Sequence, residues 1–140
     1  MNELGKTYII RDYRLEDKAF VMSTWLRGLY YGDSWFSLIP KDVFMANYKL
    51  IIEAIISKPT NTILVACDIN DHDTIFGFSC LRQDFDIIHW VFVKKLFRGK
   101  GVGKSLVPQN PRSVSHLSET GKSLLASKFP NTTFNPFALE

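Results

Sequence analysis

The chain has 140 residues, 46% apolar, 14% aromatic and 22% charged, with a formal net charge of +3. This composition predicts one globular domain over residues 1–140, and two cysteines, Cys67 and Cys80, are too few for a disulfide framework and point to a reducing compartment. No apolar run approaches the ~20 residues of a membrane span, and residues 1–6 lack a signal-peptide core, so a cytoplasmic chain without a membrane partner is expected.

Residues 8–13 read as a first strand. Leu15-Glu16-Asp17 then opens a helix in which Val21, Trp25 and Leu29, with Met22 and Leu26, recur at helical spacing, and Tyr31-Gly32-Asp33-Ser34 ends it. A second helix follows Pro40, with Phe44, Asn47, Ile51 and Ile55 along its expected apolar face and Asp42 near its positive end. Lys58-Pro59 stops it. Residues 62–67, 75–81 and 87–93 are strand-like, and their short polar connections predict an antiparallel meander, because parallel neighbours need long crossovers. A short helix after Gly101, a strand near residues 114–117 and a helix over 120–128 complete the order β-α-α-β-β-β-α-β-α. The fold class is α+β, a mixed, largely antiparallel central sheet flanked by helices.

Charge is unevenly spread. No acidic residue occurs from Ile87 through Ser118, whereas Lys94, Lys95, Arg98, Lys100, Lys104 and Arg112 do. That local positive field suits a cofactor's phosphates or nucleic acid, although a solvated basic face carries the same charges. Within it, Arg98-Gly99-Lys100-Gly101-Val102-Gly103-Lys104-Ser105 joins a strand to a helix start, where backbone N–H groups can converge on an anion. A Walker loop would require glycine at Arg98, and a dinucleotide fingerprint would require it at Lys104. Both miss by one position.

Arg98-x-x-Gly101-x-Gly103, directly after a strand ending in Val91-x-Val93, resembles the pyrophosphate-binding motif of the GCN5-related N-acetyltransferase (GNAT) superfamily, and the order of elements is similar over most of the chain. Ser23-x-Trp25-Leu26-Arg27, Val65-Ala66-Cys67-Asp68, His89-Trp90-Val91-Phe92-Val93-Lys94 and Ser115-His116 resemble small members carried by phages and prophages, which implies a host-cytoplasm location. The resemblance implies an N-acyltransferase in which an amine, on a small molecule or a protein, attacks the thioester of acetyl-CoA or another acyl-CoA directly. It implies that Val91-Phe92-Val93 pairs with the pantetheine arm, with the Val93 N–H polarising the acyl carbonyl. The N–H groups of Gly99, Lys100, Gly101, Val102, Gly103 and Lys104 would hold the pyrophosphate. Arg98 would fix the bend, and the Lys100 or Lys104 side chain would meet a phosphate.

Such a reaction needs a base. His89 shares strand parity with Val91 and Val93 and is the first candidate, against the alternative of a packed core histidine. His116 is the second, while His72 sits in a solvated turn. Asp84 and Asp86, before the fourth strand, are carboxylate alternatives more typical of turns. Asp33, Trp35 and Phe36 lie where the superfamily shapes its acceptor site, and Trp25 fits the core. No residue pattern suggests a metal. Two departures from the superfamily stand out: residues 119–127 contain no tyrosine to protonate the leaving thiolate, and the final hairpin is expected to be shortened or missing. Two other functions fit the same fold: a protein that binds or modifies nucleic acid, and a non-catalytic phage protein that docks on a host factor. The lysines lack the stacking aromatics that would favour the first.

Overall fold

The computed structural model describes residues 7–84 and 86–139, without the side chains of Glu119 and Thr120; residues 1–6, read above for a leader, lie outside it. Its order is β1 (Tyr8–Asp12), α1 (Lys18–Gly32), α2 (Lys41–Ser57), β2 (Asn61–Asp68), β3 (Ile75–Arg82), β4 (Ile87–Val93), α3 (Val102–Leu106), β5 (Ser113–Val114), α4 (Glu119–Lys128) and β6 (Thr133–Phe134). The six strands form one sheet in chain order. β1 to β4 are antiparallel neighbours, whereas β4–β5 and β5–β6 are parallel. This is the expected α+β architecture. The chain from β4 to β5 supplies the crossover that a parallel pair requires, with α3 as its helix.

α1 buries the stripe its spacing predicts: Val21, Met22, Trp25 and Leu29 are all sealed, and Trp25 stacks on Trp90 of β4 with ring centroids 5.9 Å apart. In α2 the buried face is turned from the expected one. Phe44, Ile52 and Ile55 are buried and Tyr48 packs beside them, while Asn47 and Ile51 face outward. The helix is apolar nearly all round, with Val43 and Leu50 also exposed, so periodicity alone does not choose between the two stripes.

The sheet has a layer on each face. α1 and α2 cover Ile63, Val65, Phe78, Cys80 and Trp90. On the other face α3 lays Val102 and Leu106 over Ala66 and Phe76, and Leu125 of α4 packs with Leu81, Ile88 and Val114. Burial on both sides explains why seven of the eight residues of β3 are sealed. The thiol of Cys80 is pushed up to about 12 by burial and is inert at neutral pH.

At the edge of the molecule, Arg11 grips Asp17 through two hydrogen bonds of 2.8 and 3.0 Å and the His72 carbonyl through two more. It thereby ties β1, the turn leading into α1 and the β2–β3 hairpin together. The C-terminal half departs from expectation. The strand expected near 114–117 is only Ser113–Val114, because the chain leaves the sheet after Ser115. The short parallel strand β6 went unforeseen.

Candidate functional site

β4 is paired along its length on one side only. Toward β3 it is laddered from Ile88 to Val93, but toward β5 the ladder is confined to Ile87↔Ser113 and Ile88↔Val114, closed by the Ser115 N–H on the Ile88 carbonyl at 3.0 Å. Beyond that point β4 and β5 separate. The Lys94 N–H donates to Phe76 of β3. Since strand amides alternate in direction, those of Phe92 and Trp90 also point to β3, and those of Val93 and Val91 point into the gap. A strand edge with unmet amides is a template for an extended polar chain.

The gap leads into the glycine bend. A single 3-10 turn, Lys95–Phe97, follows β4, and Phe97 stacks face to face on Phe76 at 3.7 Å. Arg98 turns back to donate from Nε to the Val93 carbonyl at 2.9 Å. Gly99 and Gly101 have φ of 77° and 85°, the left-handed region that disfavours side chains, and a Cβ at either would meet nothing within 4 Å. Gly103 is different: its ordinary helical backbone faces Val93, and a Cβ there would rest 3.5 Å from that side chain. Underneath, Val102 and Leu106 are buried, Ser79 donates to the Leu106 carbonyl at 2.7 Å, and the Tyr8 hydroxyl meets Ser105 Oγ at 2.8 Å.

The bend is therefore pinned from below and open above. Among the described residues, the amides of residues 99–104 meet no acceptor; Ser105 is the first of the helix to find one, the Gly101 carbonyl at 3.1 Å. Lys100 and Lys104 are exposed beside them. Unpaired amides in a left-handed turn, flanked by lysines, form a concavity for an anion.

The histidines are placed otherwise than strand parity suggests. Cys80 pairs with Trp90 but Leu81 pairs with Ile88, so His89 is an extra, bulged residue in β4. The bulge breaks the alternation: Ile88, not His89, shares the α4-side cluster with Val91. His89 has no solvent exposure and is held by Ser115 Oγ at 2.7 Å and Asn61 Oδ1 at 3.1 Å. The expectation that its side chain opens on the face of Val91 and Val93 is thus corrected, and it is a packed histidine. Burial lowers it to about 4, with Lys58 and Arg82 adding to the shift.

His116 lies just past the point where β4 and β5 part. Its ring stands edge-on to Trp25 and Tyr48, with centroids at 5.7 and 5.8 Å, and its Nδ1 is 2.9 Å from Ser115 Oγ. Its Nε2 has no hydrogen-bond partner among the described residues, yet it is not among the sealed, unpartnered atoms, which are the indole nitrogens of Trp25 and Trp90. It is therefore not fully sealed, in a residue that is half-buried. Burial, and then the neighbouring His89, lower His116 to about 4.

The segment between α1 and α2 borders the same place. Phe36 packs on Tyr48 at 5.5 Å, so it joins His116 through a shared ring, while Trp35 stays largely exposed. Asp33 accepts from the Trp35 N–H at 2.7 Å and fixes the turn that carries it. A Cβ on Gly32 would come within 3.2 Å of Ser118, which sets the end of α1 against the start of α4. The carboxylate alternatives lie elsewhere: Asp86 pairs with Arg112 at 2.8 Å and Asp84 with Arg82, both at the end of β4 remote from the bend. His72 sits exposed in the β2–β3 turn. Ser115, Asn61 and Tyr48 were missed; Ser115-His116 was visible as a pair, but nothing in the sequence joins Asn61 to it.

Residues 24–109 match the family described as Acetyltransferase (GNAT) family. The chain belongs to that family. No curated protein matches it. Among solved structures it is similar to a candidate acetyl transferase from Pyrococcus furiosus, at 20% identity over 71% of this chain and 68% of that one, with a TM-score of 0.57. It is also similar to a possible acetyltransferase from Clostridium difficile 630, at 14% identity over 93% and 80% of the two chains, with a TM-score of 0.50. At such identities the likeness is one of fold. Acyl-CoA is the cofactor class typical of the GNAT fold.

Proposed function

We propose that this GNAT protein transfers an acetyl group from acetyl-CoA to a primary amine. The observation that carries the proposal is the row of amides from Gly99 to Lys104 that meet no acceptor among the described residues, with open space beside Gly99 and Gly101 at the end of the unzipped edge of β4. In this reading the amides of the bend receive the pyrophosphate, Lys100 or Lys104 meets a phosphate, and the pantetheine arm runs along Val91-Phe92-Val93 as an added strand. The Val93 N–H donates to the acyl carbonyl as negative charge develops on its oxygen, a contribution of a few kcal/mol.

The amine nitrogen attacks the thioester carbon, the C–N bond forms, and the C–S bond breaks with its electron pair leaving on sulfur. One proton must leave nitrogen, and His116 Nε2, accessible beside the gap, is the base this reading assigns. The thiolate is a good enough leaving group to take its proton from water, consistent with an α4 that holds no tyrosine. Trp35, Phe36 and Tyr48 form the wall along which the acceptor lies.

The test is incubation with acetyl-CoA and a panel of primary amines and lysine peptides, scored by free thiol release and by a mass gain on the acceptor. Amine-dependent thiol release with an acetylated product supports the proposal. Cofactor hydrolysis alone, or no release with any acceptor, contradicts it.

A further inference from the structure

His89 and Ser115 are buried and Asn61 is half-buried, and the three form one continuous hydrogen-bonded line ending at His116. The direction of every bond in that line follows from its first member. The Asn61 amide stands 2.8 Å from the Ile55 carbonyl, which can only accept, so the group there is the NH2 and the Asn61 oxygen is the one turned to His89. That oxygen also only accepts, so His89 Nε2 carries a proton. A neutral imidazole holds one proton, so His89 Nδ1 is an acceptor and takes the Ser115 hydroxyl hydrogen. With its hydrogen spent, Ser115 Oγ can only accept from its other neighbour, which places a proton on His116 Nδ1.

We infer that the line Ile55–Asn61–His89–Ser115 is a positioning device that locks His116 in the Nδ1–H form, leaving the lone pair on its accessible Nε2. For its catalytic meaning this rests on the acetyl-transfer reading; the tautomer itself does not. Free imidazole side chains favour the opposite form, with the proton on Nε2, which has no lone pair there to receive a proton from an amine. Burial, and after it the charged and ring groups facing the pair, disfavour its charged forms. Lys58 at the end of α2 and Arg82 of β3 disfavour charge on His89, and His116 meets His89 and the Tyr48 ring, whose hydroxyl is raised to about 12 by burial. The chain of donors is polarised in one direction, and each bond strengthens the next.

The test is long-range proton–nitrogen NMR on the histidine rings of the full chain at neutral pH, beside kinetics if turnover is found. The expected result is His89 protonated at Nε2 and His116 at Nδ1. In Ser115→Ala, His116 reverts toward the Nε2–H form, and kcat falls about tenfold or more with KM for acetyl-CoA unchanged. A wild-type His116 protonated at Nε2 overturns the inference, as does a Ser115→Ala variant that keeps the Nδ1–H form. Should that variant fail to fold, the wild-type spectrum decides alone. The expected tautomers in a protein that acetylates no amine uphold the locking line while removing the acetyl-transfer reading.

Discussion

Arg98 Nε donates to the carbonyl of Val93 at 2.9 Å, so the glycine bend is closed onto the strand it leaves. The contact holds the bend beside the edge of β4 and satisfies the Val93 carbonyl, leaving the Val93 N–H turned to the gap. Arg98→Ala is expected to weaken acetyl-CoA binding by about tenfold, the equivalent of one charge-assisted hydrogen bond. Titration calorimetry reads the change, and an unaltered affinity would show that the bend holds its shape without this arginine.

Gly101 and Gly103 of the bend do different work, and alanine separates them. At Gly101 a side chain forces a left-handed backbone, costing about 1 kcal/mol, and it enters the space above the amides. At Gly103 it makes only an ordinary contact with Val93. Gly101→Ala is therefore expected to lose cofactor affinity and some stability, and Gly103→Ala to lose little stability. Thermal melts with and without acetyl-CoA distinguish them; equal melts for both variants contradict the assignment.

Asp17 and Arg11 form a pair with side chains only 7% and 9% exposed. Burial by itself would raise the Asp17 carboxyl, but the Arg11 hydrogen bond, the Arg14 amide and both positive charges outweigh it and hold the group below its ordinary value. A depressed carboxylate stabilises the fold above its unfolded pKa, and the benefit is lost as pH falls through the folded value. Asp17→Asn removes the charge partner of a buried guanidinium that keeps its bonds to the His72 carbonyl, and is expected to cost about 2 kcal/mol, several degrees in melting temperature. A melt within a degree or two of wild type would argue that the pair is not sealed.

His89 and His116 predict a second pH effect. Both are lowered from the usual 6.5 to about 4, so the unfolded chain takes up protons in a range where the folded chain does not. Stability is full above about pH 6.5 and falls as pH drops toward 4, by a few kcal/mol for the two together. His89→Gln, which keeps a polar group in the bulge, is expected to flatten that slope in denaturant titrations across the window. An unchanged slope would mean that the histidines titrate normally.

Much of the fold was legible because its signals are local. The α1 stripe at Val21, Trp25 and Leu29, the three strands of the meander and the glycine bend follow from spacing and turn chemistry. Val91 and Val93 likewise keep the unbroken alternation read for the strand before the bend. What could not be read depends on contacts far apart in the chain. The bulge that turns His89 inward is set by the pairing of β4 with Cys80 and Leu81, and a single extra residue leaves no mark in the strand's own composition. Asn61 reaches His89 across 28 positions, and the Ser115 hydroxyl spans 26. The α2 stripe failed for a different reason: with apolar residues at Val43, Leu50 and Ile51 as well, only the sheet beneath decides which side is buried.

Isothermal titration of acetyl-CoA into the wild-type chain and into a folded Gly101→Glu variant tests the central claim most directly. The account predicts saturable binding at one site in the wild type and none in the variant, whose carboxylate stands among the amides that would receive the pyrophosphate. No binding to the wild type at millimolar cofactor, or equal affinity in both proteins, would contradict it.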